Sequence, residues 1–218
     1  MSRYARLAWP DVPLHIIQRG NNRQPCFFAD ADYRIYLAWL AEHADASACR
    51  VHAYVLMSNH IHLLVSFDRP GSPGALMKAL GQRYTHYVNW RYQRTGTLWD
   101  GRYKSCLVQE GGYLLVCQRY IELNPVRAGM VDFPAQYRWS SYRGNAEGKA
   151  DSLLRPHPVY ACLGADGAER QRVYRGLFQE KLEPKLVDAM RTATNNNFAL
   201  GDQGFLRSVA AAGRKPGA

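Results

Sequence analysis

Acidic residues, paired cysteines and long apolar runs are all scarce in this chain. Only 18 of its 218 residues are Asp or Glu against 28 Lys or Arg, giving a formal charge of +10 and a pI near 9.5. Such a deficit does not select a fold, but it favours polyanionic partners that release counterions on binding, nucleic acid first among them. Between positions 69 and 109, Arg69, Lys78, Arg83, Arg91, Arg94, Arg102 and Lys104 face Asp100 alone. That segment reads either as a solvated basic face or as a polyanion-binding surface. The five cysteines, Cys26, Cys49, Cys106, Cys117 and Cys162, are odd in number and include no Cys-x-x-Cys pair. Their spacing argues against a disulfide framework and a thiolate zinc site, and fits a reducing, cytoplasmic setting. The N-terminal stretch lacks an apolar signal region, and runs such as Tyr113 to Cys117 fall far short of the roughly 20 residues that span a bilayer, so no membrane association is expected. A nucleotide cofactor is not expected either. In GNAEGKA, Gly144 and Gly148 are too close for a phosphate-binding loop, and Ala150 stands where Ser or Thr would hold Mg2+.

What is present is enough for a core: 47% hydrophobic and 12% aromatic residues. Val12 to Gly20 reads as a strand entering a turn. From Asp30, a candidate N-cap, Tyr33, Tyr36, Leu37, Leu40, Ala41 and Ala44 fall on one helical stripe. Arg50 to Met57 alternates as a strand with Val51, Ala53, Val55 and Met57 on one face, and Ser58 and Asn59 then turn the chain into a second strand reaching Phe67. Ser72 as cap and Pro73 at the first position open a helix to about Arg94. A strand from Tyr103 to Gln109 and a helix from Tyr113 follow. The order βαββαβ, then a helix, is that of an α+β, ferredoxin-like (split βαβ) antiparallel sheet with both crossover helices on one face. Residues 1–132 form the expected catalytic domain. Residues 133–218 read as a polar loop and a small helical extension, with helical segments near Glu169 to Glu180 and Pro184 to Thr194 and a frayed GRKPGA end.

Asn59 to Phe67, NHIHLLVSF, begins an otherwise apolar strand with two histidines. Alternation points Ile61, Leu63, Val65 and Phe67 one way and His60, His62 and Leu64 the other, with the histidines about 7 Å apart along the strand. Two imidazoles at that separation could reach one metal ion, or be ordinary surface or hydrogen-bonded residues. Farther on, in QRYIELNPVRAG, Tyr120 and Asn124 lie four residues apart on one helix face, with Tyr113 and Cys117 on the same stripe. Either they are core filler and a helix cap ahead of Pro125, or they bring a phenol and an amide oxygen to the free sheet face.

A His-hydrophobic-His strand followed about sixty residues later by a Tyr-x-x-x-Asn helix resembles the single-tyrosine HUH transposases, specifically the REP-associated tyrosine transposases. HIIQRGNNRQ, MSNHIHLLV, GTLWDGRYKS, YIELNPVRAG and RPHPVYACLG carry the resemblance from about Leu14 to Gly164. It implies an HUH endonuclease fold, with His60 and His62 as metal ligands, Asn124 as third ligand and Tyr120 as nucleophile. Mobile relatives carry Gln at the third-ligand position, and Asn matches the REP-associated branch, which is thought to be domesticated.

The implied chemistry is metal-dependent cleavage of single-stranded DNA and strand transfer through a 5′-phosphotyrosine at hairpin-bearing repetitive elements. Mixed nitrogen and oxygen ligands suit Mg2+ or Mn2+. No residue stands out as general base, because Glu122 is off the Tyr120 face. Tyr103 between Arg102 and Lys104, together with Arg19, Asn21, Asn22 and Arg23 at the first turn, are candidates for holding single-stranded DNA, against the alternative of solvent-facing loop residues. A monomer is favoured over a dimer by the same resemblance. Two other readings remain open: a ferredoxin-like regulator that binds single-stranded DNA or RNA without cutting, and a zinc-dependent hydrolase using the same histidines.

Overall fold

A computed structural model describes residues 7–212, and the GRKPGA end lies outside them. The first sheet elements are β1 (Leu14–Arg19), β2 (Cys49–Met57), β3 (His60–Phe67) and β4 (Lys104–Val108), with α1 (Asp30–Ala46) and α2 (Ser72–Arg91) as crossovers. After β4 come α3 (Gly112–Glu122), α4 (Asn124–Arg127), α5 (Tyr142–Glu147), α6 (Pro158–Ala161), α7 (Gly167–Gly176), α8 (Pro184–Asn196), β5 (Ala199–Leu200) and α9 (Gln203–Ala211). The strand order is β2-β3-β1-β4-β5. The first four are antiparallel to their neighbours, as a split βαβ requires, while β5 pairs parallel with β4. The sheet is therefore mixed rather than wholly antiparallel. A two-residue edge strand from the C-terminal part has too little periodicity to be visible in sequence.

The β3 alternation sorts the core. Ile61, Leu63, Val65 and Phe67 pack with Tyr36 and Leu40 of α1 and Leu80 and Tyr84 of α2. Each such wholly buried side chain contributes about 1.5–3 kcal/mol. Asp32 ties the two helices together. Its carboxylate, with no exposed surface, accepts from Phe28 N at 2.8 Å, Ala29 N at 2.9 Å, and the hydroxyls of Tyr87 and Tyr92 at 2.8 Å each.

Several local expectations are corrected. Ala29, not Asp30, occupies the N-cap of α1, because Asp32 from inside the first turn takes the free N–H groups. Gly71, with φ of 85°, caps α2, which puts Ser72 inside the helix. That helix ends at Arg91 rather than Arg94. Val51 does not share a face with Ala53, Val55 and Met57. A register shift between Val51 and Ala53 leaves Val51 in the core under α1 and turns the other three toward α3.

The second sheet face is covered as well. Leu114, Cys117 and Ile121 of α3, and Val187, Met190 and Ala193 of α8, share one core with Ala53, Val55, Leu64 and Cys106. The segment between them straps the outer edge of β2: Leu56 N bonds Trp139 O at 2.9 Å, and Arg155 N bonds Val51 O at 2.8 Å. Pairing the edge backbone in this way removes a site for strand addition. Glu122 anchors α3 to the strap. Fully buried, it accepts from Ser141 Oγ at 2.6 Å, Asn145 Nδ2 at 2.8 Å and Tyr174 Oη at 2.8 Å. Burial pushes its carboxyl up to about 7, against the opposing pull of those three bonds. None of the five cysteines is bridged. Among the described residues no helix is long and apolar enough to cross a membrane.

Candidate active site

The end of the sheet where β1 stops and β3 starts opens into a cavity of about 280 Å³ between β1, β3, α3 and α8. His60, His62, Tyr120, Asn124, Arg127 and Arg191 line it. Arg19 enters from β1 and Asn195 from α8. The two histidine rings of β3 stand 5.1 Å apart at 73°, and the Tyr120 ring lies 5.9 Å from that of His62. Tyr120 is 3% exposed, so its phenol is walled in on most sides.

Hydrogen bonds fix which imidazole nitrogens remain basic. Thr194 Oγ1 donates its one proton to Met190 O at 2.8 Å and must accept from His15 Nδ1, 3.0 Å away. His15 Nε2 is then a lone pair, and it takes the proton of His62 Nδ1 at 2.8 Å. His62 Nε2 is left unprotonated. On His60 the same result comes from the other side. Asn59 Nδ2 donates to Arg23 O at 2.9 Å, which orients Asn59 Oδ1 to accept from His60 Nδ1 at 2.6 Å. The carbonyl of Arg23 is presented by the turn Asn21–Arg23, where Asn22 and Arg23 have φ of 51° and 59°. Gly20 permits that turn, because a Cβ there would stand 2.2 Å from Gln24 O.

Electrostatics agree with neutral rings. Burial, then Arg127, lowers His15 to about 3, and burial, then Arg19 and Arg127, lowers His60 to about 4. His62 is held well below the usual imidazole range by burial first, then by His15, His60 and the two arginines. At neutral pH both β3 histidines offer lone pairs rather than charges.

Pro125 explains the geometry of Asn124. Proline has no N–H, so a carbonyl of the preceding turn loses its helical partner. Asn124 Nδ2 donates to Tyr120 O at 3.0 Å and Ile121 O at 3.2 Å. Its Oδ1 is therefore directed away from the helix and accepts from Arg127 Nη2 at 2.9 Å. The guanidinium also lies 4.0 Å over the Tyr120 ring. Helix capping and an outward amide oxygen thus coexist in one side chain. Two neutral imidazoles and an amide oxygen around a polar cavity fit a divalent cation, with Arg127 filling the cationic place beside Asn124. Among the described residues no cluster of three or more His, Cys, Asp or Glu side chains is placed to hold a metal ion.

The structure thus brings His60, His62, Tyr120, Asn124 and Arg19 to one cavity. Asn21, Asn22 and Arg23 form the turn beside it. Arg102 and Tyr103 line a different cavity on the opposite sheet face, and Lys104 bonds Asn195 at 3.3 Å on the sheet edge. Sequence reasoning missed His15, Arg127, Arg191 and Thr194. His15 shares the face of Ile17 and Arg19 by alternation, and Arg127 sits three residues beyond Asn124, so both were accessible to pattern. Nothing local marks the two α8 residues.

The family model described as transposase IS200 like matches residues 9–124, and the chain belongs to that family. Among solved structures, a REP-associated tyrosine transposase bound to a REP hairpin is similar at TM-score 0.59 and 16% identity, over 72% of this chain and 93% of that one. A putative transposase from Deinococcus radiodurans matches at TM-score 0.38 and 17% identity, over 63% and 98%. Comparison with curated proteins gives no match.

Proposed function

We propose that the protein cleaves and rejoins single-stranded DNA through Tyr120. The convergence of Tyr120, His60, His62 and Asn124 on one cavity carries this reading. Tyr120 Oη forms a bond to phosphorus while the bond from phosphorus to O3′ breaks. The tyrosine proton goes to solvent, and the departing O3′ takes a proton from solvent to leave as a free 3′-OH. Because one phosphate ester replaces another, the step is close to balanced and reversible, and a second 3′-OH can reclaim the strand without nucleotide fuel.

A divalent cation, Mg2+ or Mn2+, held by Nε2 of His60 and His62 and by Asn124 Oδ1, would polarise the scissile phosphate and stabilise the departing oxygen. Arg127 competes for the same amide oxygen. Once released from it, its planar fork is placed beside the nucleophile to hold phosphate oxygens, a role guanidinium geometry suits. Arg19 and Arg191 add positive charge at the mouth for the DNA backbone.

The substrate we assign is DNA with a hairpin and a single-stranded flank, as in the REP-associated branch that Asn124 resembles, acted on by a monomer. Residues 1–132 would carry the chemistry and residues 133–218 would shape its surroundings, since α8 backs His15 and adds Arg191 and Asn195 to the cavity. Incubation with hairpin oligonucleotides from the repeats of its own genome plus Mn2+ should give a covalent protein–DNA adduct. Tyr120→Phe and His60→Ala should abolish it, and an undiminished adduct with Tyr120→Phe would remove the assignment.

The burial of Tyr120 and the Arg127 bond to Asn124 favour a second reading, a regulator that binds single-stranded nucleic acid without cutting. Salt-sensitive binding indifferent to chelator, with no adduct from any oligonucleotide, would select it.

A further inference from the structure

A cavity of about 530 Å³ lies on the opposite face of the sheet from Tyr120. Its volume falls within the range of about 300–1,000 Å³ typical of small-ligand sites. Gln18, Lys78, Gly81, Trp99, Arg102 and Tyr103 are among its lining residues. Gln18 is 7% exposed, and its Oε1 is buried without a hydrogen-bond partner. A buried acceptor left unsatisfied costs about 1–3 kcal/mol, so a turn of the amide that presents Oε1 to a donor in the cavity is favoured.

The cavity is chemically mixed in the way a nucleobase requires. Trp99 gives an aromatic wall, Lys78 and Arg102 give positive charge, and the Gln18 amide gives hydrogen-bonding capacity. Gly81 of α2 keeps space open beside the amide. A Cβ there would lie 3.6 Å from Gln18 Nε2 and 3.7 Å from Trp99 Nε1. The two cavities flank the same strand, β1. Ile17 and Arg19 line the active-site side of β1, Gln18 between them faces the other way, and Lys104 sits opposite Ile17 at the sheet edge. A single DNA strand that reaches both cavities would have to follow that edge.

We infer that this cavity receives an unpaired nucleobase bearing an exocyclic amino group, from the same DNA strand that reaches Tyr120. A glutamine amide turned toward the cavity meets adenine at N6 and N7, or unpaired cytosine at N4 and N3, with two hydrogen bonds, Oε1 accepting from the amino group. Thymine has no exocyclic amino group to offer. The inference rests on the function proposed above and names the specificity-determining pocket of that reaction.

Fluorescence anisotropy on full-length Tyr120→Phe, with a labelled hairpin oligonucleotide carrying an abasic site at each flank position in turn, tests it. One position should weaken binding roughly ten-fold, the scale of a lost stacked base, and adenine or cytosine should bind better there than thymine. Gln18→Leu, and independently Gly81→Leu, should erase that penalty. Gly81→Leu fills the space while raising helix propensity, so its fold is expected to survive, which a thermal melt checks. Arg102→Ala should weaken every oligonucleotide alike. Penalties unchanged in both pocket variants, no position with a penalty, or no binding to any oligonucleotide each overturn the pocket. Adduct formation by the wild type with Gln18-independent binding would remove the pocket and leave the chemistry. A Gln18-dependent penalty without any adduct would do the reverse.

Discussion

His62 Nδ1 and His15 Nε2 lie 2.8 Å apart in nearly parallel rings, 8° from one plane, and Thr194 of α8 completes the chain behind them. Thr194, 179 residues from His15 in sequence, thus sets through it the tautomer of a candidate metal ligand. Loss of such an outer partner typically weakens metal affinity about 10–100-fold. Thr194→Val and His15→Phe should each weaken Mn2+ binding on that scale, read by titration of the free protein. Unchanged affinity in both would show that the relay does not position His62.

Arg127 should separate ligation from chemistry. Its Nη2 holds Asn124 Oδ1 at 2.9 Å, so Arg127→Gln releases a ligand while deleting a phosphate-binding fork. Mn2+ affinity is expected to hold or rise. Adduct formation should fall about 100-fold or more, the usual cost of removing a preorganised transition-state donor. An Arg127→Gln enzyme as fast as wild type would contradict the role.

Asp32 is the structural keystone between α1 and α2. Truncation to Ala removes four hydrogen bonds to a buried carboxylate, from donors on half-buried and exposed residues, so a loss of roughly 3 kcal/mol is expected. Urea unfolding measures it. A change below 1 kcal/mol, the ordinary worth of about one hydrogen bond, would mean that water replaces the carboxylate.

His52 should make the fold acid-sensitive. It bonds Arg155 O at 2.6 Å and Ser66 Oγ at 2.9 Å, and burial lowers it to about 4 from an ordinary 6.5, against the pull of the Arg155 carbonyl. The unfolded chain then binds a proton that the folded one refuses between those values. Its contribution to stability is full above pH 6.5 and is lost as pH falls toward 4, by roughly 3 kcal/mol. His52→Gln should flatten the slope of unfolding free energy across that window relative to wild type. An identical slope would place the acid sensitivity on other groups.

Much of the stretch from β1 to α4 was legible because it is written in short periods. The β3 alternation separated His60 and His62 from Ile61 and Leu63, and the four-residue spacing brought Tyr120 and Asn124 to one side. Caps and bulges were less legible. Asp30 and Ser72 are plausible caps by residue type, but Asp32 and Gly71 do the work because hydrogen-bond geometry, not composition, selects the cap. The face of Val51 was misjudged because a bulge breaks the two-residue period without any residue announcing it.

Residue order alone settled which side chains share a face, since strand and helix periods follow from backbone geometry within a few bonds. Only the folded chain decided that α8 returns to the sheet, that Thr194 stands behind His15, that Arg127 takes the free oxygen of Asn124, and that Gln18 ends in a cavity without a partner. Those contacts join segments far apart in sequence. They are chosen by how complementary surfaces exclude water, a property no local pattern encodes.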